Sequence, residues 1–240
     1  MITKTQNYNL YISDSGISSD KAIIYCHGGA FRYGDKGDDE EFLSLLARKT
    51  SLPVYSVAFR NLDDARSIRY MIDDIKACMD LIHENDRINS FVLMGSSSGA
   101  YLAWILSIML CNSEKYGISS EYKVSSVILI SGYLVFEDND GITNALGLFP
   151  SFQDFPKELK DVLMDYGDYG LPKHILLIAG EEDSCQDSEE LFKIINRIDK
   201  DNYCYLCAHS DNESTEHCFL TKYPESKVSQ GLFDRIKEYL

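Results

Sequence analysis

Apolar positions follow two rhythms along this chain. Short unbroken apolar runs alternate with longer stretches in which apolar residues recur every three or four positions. Residues 21–26, 53–59, 91–94, 123–131, 174–179 and 203–208 have the length and the β-branched or aromatic content of strands. Residues 8–13 alternate more weakly and suit an edge strand. Between the runs, Phe42, Leu45 and Leu46 share one helical face, with Asp38 or Asp39 as cap for a helix reaching about residue 49. Ile68, Ile72, Ile75, Met79 and Ile82 form one stripe of a long helix, capped at Asp63–Asp64 and reaching about residue 85. Residues 100–111 are apolar all round and predict a buried helix. Further helices are expected over 187–198 and 226–240, with a short one near 157–164.

Strands that are continuous apolar runs are buried on both faces. Their alternation with helices predicts an α/β fold, an open and mostly parallel sheet with helices on both faces. No repeat or linker divides the 240 residues, so a single domain over 1–240 is expected. Residues 132–169 break the rhythm and read as an insertion.

A formal net charge of −15 argues against nucleic acid or an anionic membrane surface as partner. Residues 1–13 contain no apolar core of signal-peptide length, and the 100–111 run is too short to span a bilayer. A cytoplasmic protein with its seven cysteines reduced is therefore expected.

In such sheets, sites gather at the C-terminal ends of the strands. Four segments stand there. Gly95-Ser96-Ser97-Ser98-Gly99 lies between a buried strand and a buried helix, which is the context of a nucleophile elbow with Ser97 at its apex. A serine hydroxyl needs a base and an orienting acid. Of five histidines, His209 and His217 both follow the last strand; His217, deeper in its loop, has the reach to return over the sheet and is preferred. Gly180-Glu181-Glu182-Asp183 follows the strand before it. Asp183 is the favoured acid, because Gly180 permits a tight turn, with Glu182 and Asp187 in reserve. Oxyanion donors would be the Ser98 amide and the Gly28–Gly29 loop after the first buried strand.

Cys26-His27-Gly28-Gly29-Ala30-Phe31, the Ser97 pentapeptide, the Gly180–Asp183 tetrapeptide and His217-Cys218-Phe219 resemble the ordered motifs of the α/β-hydrolase superfamily. The nearest group is the esterases similar to hormone-sensitive lipase and kynurenine formamidase. The resemblance implies Ser97 as nucleophile, His217 as base and acid, and Asp183 as orienting acid. It implies oxyanion amides at Gly28, Gly29 and Ser98, with His27 bracing its loop and Arg60 structural. Three departures stand out. Ala30 replaces a third glycine and would narrow the loop, Ser96 replaces an acid before the nucleophile, and the N-terminal region is too short for a helical cap. Any lid must then come from 132–169.

Other patterns carry less. Cys204 and Cys207 have a redox or zinc spacing, but within a strand they point to opposite faces. Cys207, His209, His217 and Cys218 as a metal cluster is disfavoured, since a triad accounts for His217. Asp38–Glu41 lacks the spacing of a calcium loop. Phe149, Phe152, Phe155, Tyr166 and Tyr169 could line an acyl pocket or form the lid's own core. The expected activity is hydrolysis of small carboxylic esters through an acyl-enzyme, with no metal or cofactor. The rivals are an amide or formamide hydrolase using the same residues, and an inactive ligand-binding protein on this fold.

Overall fold

A computed structural model describes residues 1–14, 16, 19–65, 67–132, 170–184, 187–196 and 201–240. Eight strands form one sheet: β1 (Ile2–Lys4), β2 (Tyr8–Tyr11), β3 (Lys21–Cys26), β4 (Val54–Val57), β5 (Ser90–Ser96), β6 (Lys123–Ile130), β7 (Ile175–Gly180) and β8 (Tyr203–Ala208). Their order is β1-β2-β4-β3-β5-β6-β7-β8. From β4 to β8 every pairing is parallel, and β2 pairs antiparallel with both its neighbours. This is the mostly parallel sheet that the apolar runs predict.

The helices are α1 (Glu40–Thr50), α2 (Leu62–Ala65), α3 (Ile68–Asp86), α4 (Ser98–Cys111), α5 (Ser113–Tyr116), α6 (Asp187–Ile195), α7 (Phe219–Lys222) and α8 (Lys227–Glu238). Side chains alternate across each strand and so feed two apolar layers. On one face, Ile24, Phe91, Leu93, Leu129 and Leu177 pack with α3 and α4. On the other, Ile23, Val92, Met94, Ile130 and Ile178 pack with α1, α7 and α8. The helix α4 is buried over nearly its whole length, with Trp104, Ile105 and Leu106 fully enclosed. Each such side chain contributes about 1.5–3 kcal/mol by leaving water.

Three local expectations are corrected. The strand at residues 8–11 is not an edge: β1 lies outside it, with Ile2 opposite Tyr11. The long helix does not start at Asp63–Asp64. Those residues belong to one-turn α2, and α3 begins after Ser67, whose extended backbone breaks the helix and whose hydroxyl accepts from the Arg69 amide. Asp39 occupies the N-cap position of α1 without a side-chain cap bond; its carboxylate is used elsewhere. The insertion expected over 132–169, with its short helix and aromatic residues, lies outside the described residues beyond Gly132.

Candidate active site

The strand β5 ends at Ser96 and α4 begins at Ser98, so Ser97 alone makes the turn. It does so at φ 52° and ψ −123°. Such a backbone conformation costs a non-glycine residue about 1–3 kcal/mol and persists only where packing over-determines it. The flanking glycines provide that packing. A Cβ on Gly95 would sit 2.3 Å from the Gly99 carbonyl oxygen, and one on Gly99 would sit 2.1 Å from that of Cys26. Strand, helix and the end of β3 therefore close to van der Waals contact only with glycine at both places.

Two further strand ends deliver the partners of Ser97. After β7, the Asp183 amide donates to the Gly180 carbonyl at 3.1 Å, a tight turn that brings Asp183 back to a buried position. After β8, the loop through His217 returns over the sheet. His217 Nε2 lies 2.9 Å from Ser97 Oγ, and its Nδ1 lies 2.8 Å from Asp183 Oδ1. The structure thus joins the three residues favoured from the sequence. His209 is exposed and pairs instead with Glu181 at 2.6 Å, which raises its pKa. Glu182 does not face His217; its Oε2 accepts from the Thr215 amide at 2.9 Å. Asp187 opens α6.

Two contacts that sequence reasoning missed pin the His217 loop. One is the Glu182–Thr215 bond. The other is the Ser131 hydroxyl, which accepts from the Cys218 amide at 2.9 Å. Both bridge strand ends distant in sequence, and no local signal marks them.

The loop after β3 forms one wall. His27, Gly28, Gly29, Tyr33, Asp39, Ser97, His217 and Lys222 are among the residues lining a cleft of about 510 Å³. Among the described residues, no backbone carbonyl accepts from the Gly28 or Gly29 amide. The Ser98 amide, at the first position of α4, has no carbonyl partner inside its own helix. The Ser98 side chain meanwhile accepts from the Phe31 amide at 3.2 Å, tying loop to helix. Ala30 takes φ 52° and Phe31 φ 64°, so the alanine stands where a glycine would be unstrained.

His27 is buried, and its ring stacks on Phe59 at 4.3 Å. Its Nδ1 is 2.7 Å from the Gly28 carbonyl, which can only accept, so Nδ1 carries the proton. Burial lowers its pKa, keeping the ring neutral. Arg60 grips Asp74 with a two-pronged bond, both prongs at 2.8 Å, and anchors the chain after β4 to α3.

Among the described residues, no group of three potential metal ligands comes together. On β8, Cys204 packs on the α8 layer with Leu206, whereas Tyr205 joins the opposite layer. Cys207, two residues on from Tyr205, therefore faces away from Cys204. The six described cysteines form no disulfide. Among the described residues, no helix is long and apolar enough to cross a membrane.

The elbow, the glycine-rich loop and the order of strand ends define a hydrolase scaffold. A family profile described as the alpha/beta hydrolase fold matches residues 23–147, and the chain belongs to that family. No curated protein sequence matches it. Among solved structures, esterase B from Lactobacillus rhamnosis is similar over 98% of this chain and 84% of its own, at 20% identity and a TM-score of 0.77. An esterase from Pyrobaculum calidifontis matches 96% of this chain and 79% of its own, at 18% identity and a TM-score of 0.73. An esterase/lipase from an uncultured bacterium matches 100% and 83%, at 13% identity and a TM-score of 0.73. At these identities the likeness defines the fold.

Proposed function

We propose that this chain is a serine hydrolase that cleaves small carboxylic esters through an acyl-enzyme at Ser97. One observation carries the reading: hydrogen bonds of 2.8 and 2.9 Å run unbroken from Asp183 through His217 to Ser97. In this mechanism Ser97 Oγ attacks the ester carbonyl carbon while His217 Nε2 takes the hydroxyl proton. Asp183 holds Nδ1–H and offsets the charge of the imidazolium. The carbonyl oxygen becomes an oxyanion, met by the amides of Gly28, Gly29 and Ser98. Collapse breaks the bond to the alcohol oxygen, which leaves with the proton from His217. Water then attacks the acyl-enzyme, giving its proton to His217, and the acid departs as Ser97 recovers its own.

The esterases of the same fold support an ester as substrate. So does the open cleft beside Ser97, which is of small-molecule size. The same reading takes residues 1–240 as one domain acting in the cytoplasm, with 132–169 as its lid.

Ser97→Ala should lower kcat on short p-nitrophenyl esters by more than about 10⁴-fold while the protein stays folded. Full turnover by that variant would refute the assignment. A fluorophosphonate should label Ser97 in the folded wild type; absence of both labelling and turnover would favour the binding-protein reading. Assaying N-formylkynurenine beside the esters separates formamide from ester hydrolysis, since both use the same residues.

A further inference from the structure

The carboxylate of Asp39 lies at a junction that the mechanism above does not use. Tyr25, buried on β3, places its hydroxyl 2.6 Å from Asp39 Oδ2 and 2.8 Å from Ser96 Oγ. A carboxylate accepts, so Tyr25 donates to Asp39 and accepts from Ser96. The Thr221 hydroxyl, which lines the same cleft as Asp39, donates to the Cys218 carbonyl at 3.3 Å. Ser96 directly precedes the strained Ser97, and its side chain also borders Gly28, whose Cβ would lie 3.4 Å from Ser96 Oγ. Thr221 is the third residue of α7, the helix that follows His217 and Cys218 at once. Through Tyr25 and Ser96, this acid therefore reaches the residue next to Ser97.

We propose that Asp39 is a positioning residue: through Tyr25 it fixes Ser96 beside the elbow, so that Ser97 keeps its register with His217. This rests on the reading of Ser97 as a nucleophile. Three features support it. Asp39 stands at the start of α1 yet does not cap that helix, so its side chain is committed elsewhere. Its bond to Tyr25 is short, as charge-assisted bonds are. Burial raises its carboxyl pKa, so keeping it ionised costs folding free energy, as tends to happen at functional sites. The bond from Tyr25 favours its ionised form, while neighbouring Asp38 opposes it.

A residue that served stability alone would lose stability and activity together. Asp39→Asn keeps the shape and removes the costly charge. Its melting temperature should equal or exceed that of the wild type, while kcat on a short ester falls about tenfold or more and KM moves little. Tyr25→Phe should lower kcat to a similar degree, and the double variant should be no slower than the slower single, because Asp39→Asn weakens the charge-assisted bond and Tyr25→Phe removes it, in one and the same chain. An unchanged kcat in folded Asp39→Asn, or losses that multiply in the double variant, would overturn the proposal. If Asp39→Asn does not fold, Tyr25→Phe and Ser96→Ala decide by the same kcat-against-KM split. Wild-type protein that neither labels with fluorophosphonate nor hydrolyses any ester or formamide would overturn the Ser97 reading itself, and this inference with it. An active wild type with an indifferent Asp39 sinks this inference alone.

Discussion

Gly180 and Thr215 meet backbone to backbone. A Cβ on Gly180 would lie 1.8 Å from the Thr215 carbonyl oxygen, although Gly180 ends β7 and Thr215 lies in the loop after β8. The sequence suggests Gly180 as a turn former; its larger role is to let the loop of His217 settle onto the loop of Asp183. Thr215 is fully buried and cannot yield. Gly180→Ala should therefore push the His217 segment away, lowering kcat/KM by about 100-fold. Thermal melting should show destabilisation of about 1–3 kcal/mol. A variant with wild-type kinetics would show that the two loops move freely.

The adjacent acids Glu182 and Asp183 divide the labour. Asp183→Asn would offer an amide to His217 Nδ1 and favour the wrong tautomer, so kcat should fall by about 10³–10⁴-fold. Glu182→Gln keeps an acceptor for the Thr215 amide and should cost little. Glu182→Ala frees that amide and should cost more, through placement of the loop rather than through chemistry. Steady-state kinetics on all three check the order, and equal losses from Asp183→Asn and Glu182→Gln would contradict the division.

His27 makes stability depend on pH. Its folded pKa lies below the usual imidazole value because it is buried. Between those two values the unfolded chain binds a proton at this residue and the folded chain does not. Stability should therefore fall as pH drops below about 6.5, until the folded pKa is reached. His27→Gln should flatten that slope relative to wild type, as read by urea unfolding between about pH 5 and 7.5. An identical slope in the variant would mean that His27 titrates alike in both states.

The thiols should react in an order set by burial. Cys207 and Cys111 are exposed, and Cys26, Cys78 and Cys218 are buried. Burial pushes the Cys78 thiol up to about 11 and raises those of Cys26 and Cys111. In a Cys185→Ser background, iodoacetamide at mild alkaline pH should modify Cys207 first and Cys111 next. Cys26 and Cys78 should require denaturant. Peptide mapping over time reads the order directly.

The central strands and long helices were legible because burial on two faces or one leaves a periodic trace in the residues themselves. The trace fails where tertiary contact decides. The three residues of β1 are exposed and carry no pattern; only pairing with β2 makes them a strand. Asp63 and Ser67 are both good helix caps, and the choice between them falls to surroundings: Leu62 and Ala65 bury on α2, and Arg32 pairs with Asp63. The grouping of Ser97, Asp183 and His217 was legible because each follows a recognisable strand. That of Asp39 was not, since its partner Tyr25, and Ser96 beyond it, come from two other segments. Their meeting depends on the β3–β5 register, in which Tyr25 faces Met94.

The burial of α4 has one more consequence. A helix enclosed on nearly all sides has no route to fray except by melting the protein, so its amides should exchange with solvent only through global unfolding. Ser97 sits at the head of that helix. The proposed nucleophile is thus tied to a slow-opening part of the molecule, while the proposed base hangs on a loop between β8 and α7. Partial inactivation by heat or mild denaturant should begin with the departure of His217, leaving Ser97 in place and the loss reversible.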